Sequence, residues 1–342
     1  MGRHKREDRE GETLIINFVG LFNAPGYVGE ISDETHLARE MEAQGHVVRR
    51  IPRDAWREYV LEDFPENKYD VPLELEADIN IIAKWHHFYD RRFVDELRRF
   101  SKAPVFYWVW DFMHDGGFPD WHINMARAAD LYISGEAGIS SWYRAEGVRH
   151  YYFQFDCADG GLPTFSIHNH LHDVVLLGSC LPQGHRKEWV QAINKEVPVR
   201  IYSWNCQEWR DLGIDASPAV YGAEANEIIA RSKINLGFSV EPHCWGYWSN
   251  RTGKTLLAEG FLLYEYAPGM ESFLRDGAAY FSSPEEAVEK IKYYLENDEE
   301  REKIRRRGAE IGRDKFSSRA RVAELCILME RYLKGKPTEW LL

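Results

Sequence analysis

Ser249–Gly277 reads SNRTGKTLLAEGFLLYEYAPGMESFLRDG. Ser249 or Asn250 is placed to cap a helix that runs to Glu259 and carries Arg251, Gly253 and Lys254 in its first turn. Gly260 stops it. Phe261–Tyr266 reads as a strand. Pro268 and Gly269 turn the chain, and Met270 opens another helix. Helix, buried strand, turn and helix in succession are the unit of a parallel α/β sheet. At the first helix start, free backbone N–H groups, the helix dipole and two cations converge, which suits a phosphate or diphosphate. The plainer reading is an exposed, capped helix start. Gly253-Lys254-Thr255 suggests a P-loop, but that motif needs a glycine where Trp248 stands.

The same alternation extends in both directions. On the N-terminal side, Thr13–Gly20, His46–Ile51, Ala77–Lys84, Pro104–Asp111, Asp130–Ser134 and His150–Asp156 read as strands. Helices are expected at Glu34–Gln44, Asp90–Ser101 and Ile139–Glu146, while residues 52–76 look irregular. Ala158–Leu171 is rich in Gly, Pro and polar residues and reads as a linker. The pattern then restarts, with strands at Val174–Ser179, Val197–Trp204, Ile234–Val240, Phe261–Tyr266 and Ala279–Phe281. Helices are expected at Arg186–Lys195, Ala223–Ser232 and Asn250–Glu259, and a helical tail at Pro284–Asn297, Asp298–Phe316 and Ser317–Leu333. The expectation is an α/β protein of two facing Rossmann-like domains. A polar tail occupies residues 1–12, the first domain 13–157, the hinge 158–172 and the second domain 173–342. Ligands in such sheets bind at the carboxyl ends of strands, so the cleft between the domains is the expected site.

The Ser249–Gly277 segment resembles the donor-binding region of GT-B glycosyltransferases, in particular the CgeB-like, spore-maturation-protein type. The matching elements are Asn250-Arg251, Gly260-Phe261-Leu262-Leu263, Tyr266, Pro268-Gly269, Glu271–Leu274 and Asp276-Gly277. The match covers about residues 231–325; the N-terminal half agrees in layout only. The resemblance implies transfer of a hexose or pentose from a nucleotide-diphosphate sugar to an acceptor hydroxyl, without a catalytic metal and with retention. It implies no other cofactor, a last helix that crosses back to brace the first domain, and a donor held mainly by the second domain. Related enzymes usually place a glutamate for the donor ribose where this chain has Lys254. A lysine cannot accept a hydrogen bond from a diol. Either Glu259 or another acid takes that role, or Lys254 contacts phosphate.

Position supplies the remaining candidates. Ser179 ends the first strand of the second domain, and Arg186 opens the next helix, where this fold places a cation against the diphosphate. Tyr202 and Trp204 end a strand and are placed to flank a nucleobase. Pro268 and Gly269 lie near the expected sugar. On the acceptor side, the glycine loop Asn23–Gly29 follows the first strand. Lys84-Trp85-His86-His87 ends another, and Asp111 ends PVFYWVWD, with His114 and Asp115 just beyond. Asp111 and His87 are the base candidates for an inverting reaction. Each is equally readable as a satisfied turn residue. His86, His87, His168, His170 and His172 lack an acidic or cysteine partner at metal-ligand spacing, so no metal site is expected.

Composition bounds these readings. The 342 residues suit two domains, and 44% hydrophobic content is ample for two cores. A net charge of −12 argues against a general nucleic-acid or membrane-surface coat. Five scattered cysteines with no CxxC pair fit a reducing compartment. There is no membrane-length apolar run, and residues 1–12 lack the apolar core of a secretory signal, so the expected location is the cytoplasm. Two alternatives stay open. One is a non-catalytic nucleotide-sugar or glycan-binding protein, motivated by Lys254. The other is a transferase acting on hydroxylated bases in DNA, supported by the basic Arg3–Arg6 and opposed by the overall charge.

Overall fold

A computed structural model describes residues 13–22, 32–61, 76–84, 89–113, 119–153, 169–180 and 185–338. The first unit is built from β1 (Ile15–Gly20), α1 (Asp33–Ala43), β2 (Val47–Pro52), α2 (Arg53–Leu61), β3 (Ile79–Ala83), α3 (Arg91–Ser101), β4 (Val105–Val109), α4 (Asp120–Ala128), β5 (Leu131–Ser134), α5 (Ser140–Ala145) and β6 (His150–Tyr152). The second contains β7 (His172–Leu177), α6 (Arg186–Glu196), β8 (Arg200–Ser203), α7 (Cys206–Asp211), β9 (Ala216–Pro218), α8 (Gly222–Ala230), β10 (Ser232–Gly237), α9 (Arg251–Leu257), β11 (Leu262–Glu265), α10 (Met270–Leu274) and β12 (Ala279–Phe281). Helices α11 (Pro284–Glu296), α12 (Asp298–Ile311) and α13 (Ser318–Leu333) follow.

Each unit holds a six-stranded sheet whose paired strands run parallel, in the orders β2-β1-β3-β4-β5-β6 and β12-β11-β10-β7-β8-β9. The strand order reverses between β1 and β3 in the first sheet and between β7 and β10 in the second. Crevices open at such points, beyond the carboxyl ends of the strands. The expected pair of Rossmann-like sheets is therefore present.

Central strands are buried on both faces: β3 and β4 have no exposed residue. Helix α1 starts where the Ser32 hydroxyl accepts the Thr35 backbone N–H, and it ends before Gly45, whose φ of +93° suits glycine. Helix α13 crosses back. Its Val322, Leu325, Leu328 and Met329 join one core with Leu14, Ile16, Leu37 and Met41 of the first unit. Ile327, also apolar, instead faces solvent at 59% exposure.

The region around 52–76 corrects the sequence reading, because α2 occupies its first part. Mixed charge hides a helix that buries Trp56 completely. Helices α4 and α7 and strand β9, too short for a clear period, also went unread.

Beneath the first sheet's carboxyl end lies a buried polar cluster. Glu136 accepts hydrogen bonds from the Met113 backbone N–H (2.8 Å), the Tyr143 hydroxyl (2.5 Å) and the Ser134 hydroxyl (3.2 Å). His150 lies between Ser134 and Ser140, and His122 meets the Tyr107 hydroxyl. Burial lowers both imidazoles to about 3, with Arg144 adding to the effect at His150. An unfolded histidine titrates near 6.5, so the unfolded chain takes up protons first as pH falls below that value. The stability these rings contribute is complete above pH 6.5 and is lost progressively toward pH 3. The stability gap between wild type and His150→Asn is expected to be about 2 kcal/mol smaller at pH 5 than at pH 7.5. Melting curves at the two pH values measure it, and an unchanged gap refutes it.

Candidate functional site

A cavity of about 320 Å³ opens at the second sheet's reversal point. Its floor is β7 and β10 with Gly178 and Ser179, and its walls include Arg186, Tyr202, Trp204, Tyr221, Arg251, Thr252 and Lys254. Asp33 and His36 close it from the first unit.

Arg186 is the most informative group. It opens α6 and is 5% exposed. Among the described residues, its guanidinium reaches only the Ser179 and Phe238 carbonyls, both at 3.4 Å, and its Nε has no partner. Burial lowers it to about 10, and repulsion from nearby Arg251 acts in the same direction. A buried guanidinium so weakly satisfied, beside a second cation, has the chemistry to receive an anion. The buried Thr252 hydroxyl and the Asn235 side-chain carbonyl also lack partners among the described residues, and both residues line the cavity.

Glycine makes room for this arrangement. A Cβ on Gly237 would stand 2.1 Å from the Tyr264 ring, whose hydroxyl accepts the Ser249 backbone N–H at 3.1 Å. Tyr264 thereby sets the approach to α9. Asn250 makes no side-chain cap; the Ser249 hydroxyl instead accepts from Arg251, through its backbone N–H at 3.4 Å and its Nη1 at 3.2 Å. Helix α9 has only seven residues, so guanidinium groups rather than its dipole are the main source of positive potential.

The cavity brings together Ser179, Arg186, Tyr202, Trp204, Asn250, Arg251 and Lys254. Trp204 is 69% exposed and Tyr221 54%, leaving two rings free at the mouth. Gly253 is buried within α9 and is not part of the lining. Glu259 is directed elsewhere: its carboxylate pairs with Arg305 at 3.3 Å and Arg313 at 3.0 Å. It therefore braces α12 and the turn after it. Pro268 and Gly269 sit at the seam between the units. The Pro268 carbonyl accepts the Gly246 N–H, and Gly269 packs against Trp245. Asp111 is exposed and outside the cavity lining, next to Phe112, whose N–H donates to the Tyr247 hydroxyl across the seam. His87, the Asn23–Gly29 loop, His114, Asp115, His168 and most of the expected hinge lie outside the described residues.

Two features escaped the sequence reading. His185 and Glu265 form a 2.5 Å pair beside Arg186, with the Glu265 carboxyl pushed up by burial and drawn back chiefly by His185. Asp33 reaches across the cleft toward Lys254. Among the described residues, no three His, Cys, Asp or Glu side chains are arranged to hold a metal, and no helix is long and apolar enough to cross a membrane.

Residues 186–327 match the glycosyl transferase-like family. That span holds α6 through most of α13, including Arg186, Arg251 and Lys254 of the cavity. Solved glycosyltransferases share the whole fold. HepE of Anabaena, solved with UDP and glucose, superposes with a TM-score of 0.64 at 12% identity, covering 93% of this chain and 99% of its own. Sucrose-phosphate synthase of Thermosynechococcus elongatus gives 0.67 at 9% identity, with 94% and 100% coverage. An α-glucosyltransferase solved with UDP-glucose and DNA containing an abasic site gives 0.63 at 12% identity, with 93% and 100% coverage. The architecture is GT-B, two facing α/β units of glycosyltransferase type. No curated protein sequence matches the chain.

Proposed function

We propose that this protein is a glycosyltransferase that binds a nucleotide-diphosphate sugar in the cavity of the second unit and transfers the sugar to an acceptor hydroxyl. The observation that carries this reading is the buried, weakly satisfied Arg186 beside Arg251. Two neighbouring guanidinium groups offer several N–H donors to a diphosphate and neutralise the charge that develops on it as the glycosidic bond breaks. That stabilisation supports a metal-independent transfer. Trp204 and Tyr221 supply ring faces for the base. The acceptor enters from the first unit, along the edge that carries Lys84 and Asp111. The resemblance implies retention, and the exposure of Asp111 outside the cavity lining supports a reaction with no dedicated base there. UDP is the first nucleotide to test, because HepE and the α-glucosyltransferase were solved with UDP or UDP-glucose.

The test is a thermal-shift panel of nucleoside diphosphates and nucleotide sugars on wild type, Arg251→Ala and Lys254→Ala. A ligand at a hundred times its Kd should stabilise by about 2.7 kcal/mol. The expected result is a shift with one nucleotide that shrinks in Arg251→Ala, followed by release of that nucleotide when its sugar donor is supplied. No shift with any nucleotide refutes the reading. Binding without turnover favours the second reading, a nucleotide-sugar-binding protein, which Lys254 motivates. DNA as acceptor is judged by whether binding to DNA weakens steeply with salt.

A further inference from the structure

Asp33 enters the donor cavity from the first unit. It is the first residue of α1, fixed by the Ser32 cap on the preceding residue. One carboxylate oxygen stands 4.0 Å from Lys84 Nζ, the other 3.7 Å from Lys254 Nζ. Both distances exceed a hydrogen bond, so the lysines stabilise the charge without occupying the lone pairs. Among the described residues that line the cavity, Asp33 is the one carboxylate; the other formal charges are the cations Arg186, Arg251 and Lys254.

This division of charge matches the chemistry of a nucleotide sugar. Phosphate oxygens need donors, and the arginines supply them. Hydroxyls also donate, so they need an acceptor, and a carboxylate whose two oxygens meet only distant lysines among the described residues can serve both hydroxyls of a vicinal diol. Glu259, the acid nearest in sequence to the donor helix, is committed to Arg305 and Arg313.

We propose that Asp33 is a specificity-determining residue, contributed by the first unit, whose carboxylate accepts hydrogen bonds from a vicinal diol of a nucleotide sugar bound mainly by the second. The proposal rests on the nucleotide-sugar reading and goes beyond it. Lys84 and Lys254 position the carboxylate, and diol recognition spans the cleft, so a bound donor draws α1 and α9 together. The diol belongs either to the ribose or to the transferred sugar.

Isothermal titration of the full chain separates these sources. UDP-glucose, UDP and 2′-deoxy-UDP are titrated into wild type, Asp33→Ala and Asp33→Asn. Loss of a hydrogen bond to a charged group should weaken binding by about tenfold or more. A ribose diol predicts that Asp33→Ala weakens UDP by that factor and leaves 2′-deoxy-UDP unchanged. A sugar diol predicts that UDP is unchanged and that its affinity gap to UDP-glucose shifts by that factor. Asp33→Asn retains one acceptor and the helix start, so a smaller loss in it supports the same conclusion if Asp33→Ala folds poorly. Equal affinities in wild type and variants overturn the proposal. So does uniform weakening of all three ligands, which a lost cleft ion pair would produce. Failure of wild type to bind any of the three also overturns it, and the nucleotide panel then shows separately whether the donor reading has failed.

Discussion

Arg186→Met is expected to lose nucleoside diphosphate affinity by about a hundredfold, yet to melt at a higher temperature than wild type when no ligand is present. Two hydrogen bonds from a charged group contribute about 1.5 kcal/mol each at the low end, and 1.4 kcal/mol is a factor of ten. The stability change has the opposite sign for a separate reason. Arg186 is 5% exposed, reaches two carbonyls only at 3.4 Å and faces repulsion from Arg251. A buried charge without good hydrogen bonds carries an uncompensated desolvation cost, and an apolar side chain of similar length does not. Melting curves with and without UDP, alongside titration calorimetry, read both effects. A structural arginine would show the reverse, with a lower melting temperature and unchanged affinity, and that outcome would remove the main support for a diphosphate site.

Gly237→Ala should damage stability and ligand binding together. The added methyl would lie 2.1 Å from the Tyr264 ring. Tyr264 is 1% exposed and lines the cavity, so the ring can yield only by leaving its packing and entering the ligand site. Overpacking of this kind costs about 1–3 kcal/mol. The displaced ring also withdraws the hydroxyl that accepts the Ser249 N–H, and Ser249 in turn holds Arg251. Nucleotide affinity should fall by about tenfold or more. Denaturant unfolding and calorimetry on the same variant measure both. Unchanged affinity in a destabilised variant would show that Tyr264 does not govern the position of Arg251.

The alternation of buried strands and helices was legible because local periodicity carries it. PVFYWVWD is strand β4 for the reason its composition suggests, since neither face meets water. Helix α2 was not legible, because its apolar side consists largely of Trp56 amid charged residues. In the site, Arg186 could be placed from its position after β7, but its burial could not. Glu259 is a plausible ribose ligand in sequence terms because its partners, Arg305 and Arg313, lie 46 and 54 residues away. Asp33 was missed for a related reason: its role depends on where the second unit sits, and no local pattern encodes that.

Helix α13 has a consequence for synthesis of the chain. The core beneath the first sheet joins Leu14, Ile16 and Phe18 to Val322, Leu325 and Met329, so its two halves leave the ribosome far apart in time. While residues 20–317 are being made, the nascent first unit exposes the apolar face that α13 later covers. Domains usually fold in order as they emerge, and exposed apolar surface during that interval favours aggregation. Here the second unit can close its own core first, and the first is sealed only when residues 318–333 return to it.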